Sequence, residues 1–238
     1  MSRTRVIAIV RKEFRDYRRN RYMLVTMAIV PVIFLLQPLI SILSLPAAAA
    51  VPLSHRHELL YMLGIPALVP SIVAASSVVT ERQQGTLEPV LTTPIRREEF
   101  LLAKALAPLV PAVAVSYAVY GLFVVIIELF AHPRVAPALL QGPVVLAQVV
   151  FTPLLALWSI WVGIAISTRS SDIRAAQQLS VLGNLPLVAL STLIAFNVIE
   201  ATLGLALVLG GALLVVDRLG WRIVSAMFDR ERLITGTR

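Results

Sequence analysis

The side chains that could do chemistry gather in one charged segment, residues 79–104, which reads VTERQQGTLEPVLTTPIRREEFLLAK. It contains four basic and four acidic residues: Arg82, Arg96, Arg97, Lys104, Glu81, Glu88, Glu98 and Glu99. Each charged side chain costs several kcal/mol in the hydrocarbon core of a bilayer. Long apolar runs flank the segment on both sides, so we expect it to lie at a water-facing surface between them.

Catalytic chemistry finds little support in the rest of the sequence. The three histidines, His55, His57 and His132, are too sparse for a metal site, and surface loops explain them more simply. The sequence has no cysteine, no H-E-x-x-H helix and no G-x-S-x-G elbow. It also lacks a GxxxxGK(S/T) phosphate loop, and its only lysines are Lys12 and Lys104. We therefore predict a protein that is not an enzyme, that binds no metal, and that cannot hold ATP in a phosphate loop of its own.

The composition indicates that the charged segment belongs to a membrane protein. Apolar residues make up 58% of the 238 and charged residues 14%, whereas about 25% of residues are charged in soluble proteins. A membrane-spanning helix needs roughly 20 apolar residues. The uncharged runs predict an all-α polytopic membrane protein with one domain, 1–238. Its six spans are expected at about 23–45, 59–79, 103–128, 143–168, 177–197 and 201–219.

The distribution of Lys and Arg predicts the orientation of these spans. Segments rich in basic residues alternate with poor ones, and only Arg56 and Arg134 of the 21 Lys and Arg residues fall in the poor set. The positive-inside rule assigns the rich set to the cytoplasm. Both termini are then expected in the cytoplasm. The net charge of +8 reflects topology and contact with anionic lipid rather than nucleic-acid binding.

Amphipathic patterns precede and follow the spans. In residues 1–22, one helical arc holds Val6, Val10, Phe14 and Tyr17, next to an arc of basic residues. We predict an interfacial helix whose apolar face lies in the acyl boundary of the membrane, and a purely topogenic basic tail is the alternative. Residues 220–238 are expected to form a cytoplasmic tail with a shorter stripe of the same kind.

The charged segment predicts a short surface helix within residues 80–102. Thr86 after Gly85 suits an N-cap, and Glu88 in the first turn complements the helix dipole. Pro94 ends the helix, because the residue before a proline avoids the α conformation, and a second helix begins near Arg96. The apolar stripe of the short helix would either pack on the membrane domain or bind a soluble partner. The length and pattern of the helix leave both alternatives open. This stripe consists of Leu87, Val90 and Leu91.

The same residues resemble the cytoplasmic motif of type-two ABC exporter permeases, the membrane subunits of ATP-binding-cassette transporters. The close match covers about 26 residues, and the six-span layout extends the likeness over the chain. Ala103 departs from the family pattern, which often has glycine before the lysine. The matching residues are Glu81, Arg82, Gln83, Gln84, Gly85, Thr86, Leu87, Glu88, Leu91, Thr93, Pro94, Arg96 or Arg97, Glu98 or Glu99, and Lys104.

The resemblance implies that residues 80–102 form a coupling helix that docks on a separate ABC ATPase subunit, next to the N-terminal interfacial helix. It implies a second permease copy, in a homodimer or a closely related heterodimer, with the substrate pathway between the copies. ATP and Mg²⁺ would be bound by the partner and no cofactor by this chain. The complex would export its substrate across the plasma membrane of a prokaryote. The residues that the resemblance assigns to ATPase coupling are Glu81, Gly85, Thr86, Leu87, Glu88, Leu91, Pro94, Arg96, Arg97, Glu98 and Glu99.

Neutral polar residues inside the predicted spans are the pathway candidates, namely Gln37, Ser41, Asn184 and the adjacent Pro186. Pro186 frees a backbone carbonyl and favours a kink, so Asn184 would face a cavity. Simple hydrogen bonding between helices is the alternative for Asn184.

Two other classes of function remain open on the sequence: a six-span scaffold or assembly factor, and an ATP-independent carrier. The carboxylates nearest the spans, Glu58, Glu128 and Glu200, fall near the predicted outer ends. This placement argues against a carrier coupled to ions, whose sites lie near the bilayer centre.

Overall fold

The computed structural model describes residues 3–43, 58–85 and 96–227. Within these ranges the chain forms eight α-helices and one 3₁₀ segment, and no strand. The helices are α1 (Arg3–Arg19), α2 (Arg21–Leu43), α3 (Gly64–Gln83), α4 (Arg97–Phe130), α5 (Val135–Leu139), α6 (Gly142–Arg169), α7 (Ile173–Ala195) and α8 (Leu203–Met227). The 3₁₀ segment, Glu58–Leu63, leads directly into α3.

Six helices are long and apolar enough to cross a membrane, which confirms the predicted all-α polytopic fold. Their ends differ from the predicted spans, since α4 begins at Arg97 and α8 runs to Met227. The reason is that backbone hydrogen bonding continues a helix past the point where hydrocarbon ends, whereas the predicted spans stopped at the apolar boundary. From residue 228 onward, the predicted tail lies outside the described residues.

The third helix, α3, is the centre of the bundle. Of its most apolar stretch 89% is buried, compared with 18% for α2 and 6% for α8. It packs against α6, α7, α4 and α2. Small residues make this possible: a Cβ atom on Gly163 of α6 would lie 2.6 Å from the carbonyl oxygen of Ser71 in α3. The two backbones therefore approach closely, as small residues permit in membrane bundles.

The N-terminal helix, α1, ends at Arg19. The side-chain oxygen of the next residue, Asn20, accepts a hydrogen bond from the backbone N–H of Met23 at 3.2 Å and so caps α2. We expected the apolar arc of α1 to face acyl chains, and its location at the membrane surface stays a prediction. Val6 and Tyr17 are buried inside the protein, whereas Ile7 is exposed. Tyr17 packs with Val73 of α3 and Ala107 of α4.

Candidate functional site

Four charged residues meet where α1 crosses the ends of α3 and α4, and we refer to Lys12, Glu13, Glu81 and Lys104 as the charge cluster. The ammonium of Lys104 lies 2.8 Å from Oε1 of Glu13 and 3.0 Å from Oε1 of Glu81. The ammonium of Lys12 lies 2.6 Å from the same oxygen of Glu81. Two ammoniums thus face two carboxylates, and the cluster is neutral overall.

Three helices contribute the four members of the cluster. Glu13 and Lys12 belong to α1, Glu81 lies in the last turn of α3, and Lys104 lies two turns after the start of α4. The segment 84–96 connects the ends of α3 and α4. The charge cluster therefore links α1 to both ends of this connecting segment at once.

Lys104 is the most enclosed member, with 1% of the residue exposed. Its three N–H donors have three acceptors, since the backbone oxygen of Ser77 lies 3.0 Å from Nζ in addition to the two carboxylates. Removing one partner of a buried ion pair costs about 3–5 kcal/mol, because an uncompensated charge remains. The cluster therefore fixes the position of α1 much more firmly than surface ion pairs would.

Two groups on α1, which lies outside the spanning helices, have raised pKa values. Burial, reinforced by the negative charges of Glu13, Asp16 and Glu81, raises the pKa of Tyr17 well above its usual value. Partial burial acts to lower the pKa of Lys12, but the hydrogen bond to Glu81 and the nearby carboxylates outweigh it and raise that pKa. Both residues stay protonated through the neutral range.

Glu99, which the resemblance assigns to ATPase coupling, is buried at the start of α4, and that assignment stays a prediction. One of its carboxylate oxygens accepts a hydrogen bond from the backbone N–H of Arg96 at 3.3 Å and lies 3.6 Å from the guanidinium of Arg5. The physical reason is that α4 needs an acceptor for the free N–H groups of its first turn. Glu81 is also buried.

Arg82 and Gln83 attach the end of α3 to the segment that joins α6 and α7. The Arg82 guanidinium donates to the backbone oxygens of Thr168 at 2.8 Å and Ser170 at 3.0 Å. Gln83 donates to the backbone oxygen of Ser171 at 2.9 Å. Arg82 thereby satisfies carbonyls at the end of α6 that lack an intrahelical partner.

A left-handed turn follows α3, at the first of the residues assigned to coupling after Glu81. Gly85 has φ +66° and follows α3, and its backbone N–H donates to the oxygen of Arg82 at 3.2 Å. Glycine is favoured there because other residues rarely adopt this conformation. Arg96, Arg97 and Glu98 are exposed. The coupling residues that lie outside the described residues are Thr86, Leu87, Glu88, Leu91 and Pro94.

The pathway candidates occupy different environments. Gln37 and Ser41 lie on the exposed side of α2, and Pro186 is exposed on α7. Asn184 is fully buried, and its amide donates to the backbone oxygen of Ser180 in the same helix at 2.8 Å. Asn184 and Pro186 thus lie on opposite sides of α7, and their assignment to a pathway stays a prediction.

Reasoning from the sequence did not predict the charge cluster, although the sequence contains two signals that point to it. Glu13 shares the helical arc of Val6, Val10 and Tyr17, and an acidic residue on an apolar arc needs a buried cation as partner. Lys104 lies inside the third predicted span, and it is one of two lysines in the chain. Spacing alone does not say that these two charges meet across 91 positions.

A comparison with models of known protein families gives a match over most of the chain. The family model described as ABC-2 family transporter protein matches residues 7–214, which includes most of α1 and all or part of every later helix. Comparison with curated proteins gives no match.

Proposed function

The chain belongs to the ABC-2 family of transporter proteins and is a membrane subunit of an ABC transporter, and on that premise we propose that it couples a separate ATPase to export. The proposed complex contains two ABC ATPase subunits and two permease copies, either identical or closely related. ATP and Mg²⁺ belong to the ATPase subunits, and the substrate crosses between the permease copies. This chain supplies the pathway and the attachment of the ATPase.

The charge cluster is the observation that carries the proposal. The segment 84–96 leaves the central helix at Glu81–Gln83 and enters α4 ahead of Lys104. Because Lys104 contacts both Glu13 and Glu81, a push on this segment acts on α1, α3 and α4 together. α3 passes the movement to α6 and α7, against which it packs. A rigid link of this kind suits a two-state membrane domain driven from a distant site.

The proposed contact with the ATPase has an apolar part and a charged part. Leu87 and Leu91 are expected to provide the apolar contact. The exposed Arg96, Arg97 and Glu98 pair with charges on the partner, each exposed pair contributing about 0 to 1 kcal/mol. Glu81 and Glu99 act through the permease itself, since both are buried.

The orientation and compartment follow from the charge distribution and the family. The segment 84–96 is proposed to face the cytoplasm together with α1, because it lies within residues 79–104, which contain four basic residues, and α1 is itself rich in them. We propose the plasma membrane of a prokaryote as the location. Export rather than import is proposed by analogy with the family.

A purification experiment tests the coupling. The tagged chain is purified in mild detergent from membranes of its native host, and the co-purifying proteins are identified by mass spectrometry. We expect a polypeptide with a GxxxxGK(S/T) motif, in equal number with the permease, and ATP hydrolysis by the complex. Recovery of the permease without any such ATPase, from cells that make it at native level, would favour a scaffold or an ATP-independent carrier.

A further inference from the structure

The last helix, α8, carries a carboxylate without a protein partner. Neither Oδ atom of Asp217 is exposed, and neither has a hydrogen bond among the described residues. The adjacent cations of α8, Arg218 and Arg222, are exposed. An isolated carboxylate in apolar surroundings is costly unless a compensating charge lies beside it.

The position of Asp217 follows from the constant register between α8 and α6. A Cβ atom on Gly210 would lie 3.9 Å from Phe151, and one on Gly220 would lie 2.8 Å from the ring of Trp161. In both pairs the α8 residue comes 59 positions after its neighbour in α6. The two helices therefore run parallel, and the same offset places Asp217 opposite Trp158.

Aromatic rings surround this level of the seam between α6 and α8. The indoles of Trp161 and Trp221 pack edge to face with their centroids 5.7 Å apart. The Nε1 atoms of Trp158 and Trp161 are buried without a hydrogen-bond partner in the described part of the chain. These are the only three tryptophans in the sequence. All of them thus lie within about one helical turn of Asp217 along the seam.

We propose that Asp217 and the three tryptophans form a binding site for a lipophilic organic cation. The carboxylate neutralises the positive charge, and the faces of the indole rings attract it through their negative quadrupole. The cation enters laterally from the bilayer, because α8 is the least buried of the spanning helices and the seam lies at the edge of the bundle. The site is distinct from the charge cluster and does not depend on coupling to an ATPase.

Tryptophan fluorescence tests the site directly, since every tryptophan of the chain lies beside it. The full-length protein in lipid nanodiscs is titrated with tetrapentylammonium, which neither absorbs in this range nor donates a hydrogen bond. We expect a saturable change in emission. Asp217→Asn should weaken binding by about tenfold or more, because it removes the charge and keeps the shape of the side chain. The matched control is Glu128→Gln, an exposed carboxylate near the end of α4, which should bind as the wild type does.

Three outcomes would overturn the proposal. They are no saturable change in the wild type, equal affinity in Asp217→Asn, and equal loss in Glu128→Gln. If Asp217→Asn does not fold, Trp221→Ala replaces it, and its affinity should fall by about threefold or more through loss of one ring face. Unchanged affinity in Trp221→Ala would equally contradict the site.

Discussion

The Nζ atom of Lys104 in α4 lies 2.8 Å from Oε1 of Glu13 in α1, across 91 positions of sequence. Both residues are buried. This ion pair joins the N-terminal helix to a spanning helix at the base of the segment proposed to contact the ATPase. The strength of such a link depends on whether both charges remain present.

Breaking the pair on one side should destabilise the protein strongly. Lys104→Met leaves Glu13 and Glu81 without their shared cation, and we expect a loss of about 3–5 kcal/mol in the free energy of unfolding. Thermal unfolding in detergent, followed by circular dichroism, measures the loss. The control is Glu98→Gln, which removes an exposed charge one position before the buried Glu99. If the two variants unfolded at the same temperature, the charge cluster would not hold α1 in place.

The turn at Gly85 should be needed for coupling rather than for stability. Proline fixes φ near −65°, which is incompatible with the observed +66°, so Gly85→Pro should redirect the segment that follows. We expect the purified complex to hydrolyse ATP without response to substrate, or to lose its ATPase. Gly85→Asn is the matched control, because asparagine tolerates the left-handed conformation. Normal coupling in Gly85→Pro would remove this turn from the mechanism.

Alkaline pH should release α1 while neutral pH leaves it docked. The pKa values of Tyr17 and Lys12 are both raised in the folded state, so the folded state holds more protons than the unfolded state above about pH 10. Their stabilising effect is then complete below the unfolded pKa values and is lost as pH rises through the folded ones. The difference in tyrosinate absorbance between wild type and Tyr17→Phe isolates Tyr17. Ionisation of Tyr17 near pH 10, as in a free tyrosine, would contradict its buried position.

The buried carboxylate of Glu99 should act mainly through the helix cap. Glu99→Ala removes the acceptor for the N–H of Arg96, and we expect a loss of about 0.5–2 kcal/mol. Arg5→Met removes the half-exposed cation that lies 3.6 Å from Glu99, which should change stability by about 0 to 1 kcal/mol. Unfolding temperatures of both variants provide the comparison. A larger loss for Arg5→Met than for Glu99→Ala would show that the ion pair, and not the cap, governs this end of α4.

Close packing of α3 against α6 should make Gly163 intolerant of a side chain. A Cβ atom there would lie 2.6 Å from the oxygen of Ser71, and overpacking of this kind costs about 1–3 kcal/mol. Gly211→Ala in α8 is the matched control, because nothing lies within 4 Å of its added atom. Alanine should stabilise that helix by about 0.5–1 kcal/mol. We expect the unfolding temperature to fall in the Gly163 variant and to rise in Gly211→Ala. Equal changes in unfolding temperature would contradict the close packing of α3 against α6.

Much of the architecture follows from the sequence because it depends on local composition. Five apolar runs of sufficient length, and a shorter sixth run extended through Asp217 and Arg218, predict six spanning helices, since a bilayer accepts only segments whose backbone groups are satisfied within the segment. The start of α4 after Pro94 was also predictable, because proline restricts the residue before it. The motif Glu81–Glu88 indicated the family that the family model matches over residues 7–214.

Tertiary structure alone decided which charges are exposed and which face each other. Glu81, Glu98 and Glu99 look alike in the sequence, yet only Glu98 is exposed. Their difference arises because α1 brings Glu13 and Lys12 against the ends of α3 and α4, a contact that spans many positions of the chain. Composition and periodicity determine which segments leave water, because both act over a few turns. The pairing of buried charges depends on how whole helices cross, and only the packed bundle fixes that.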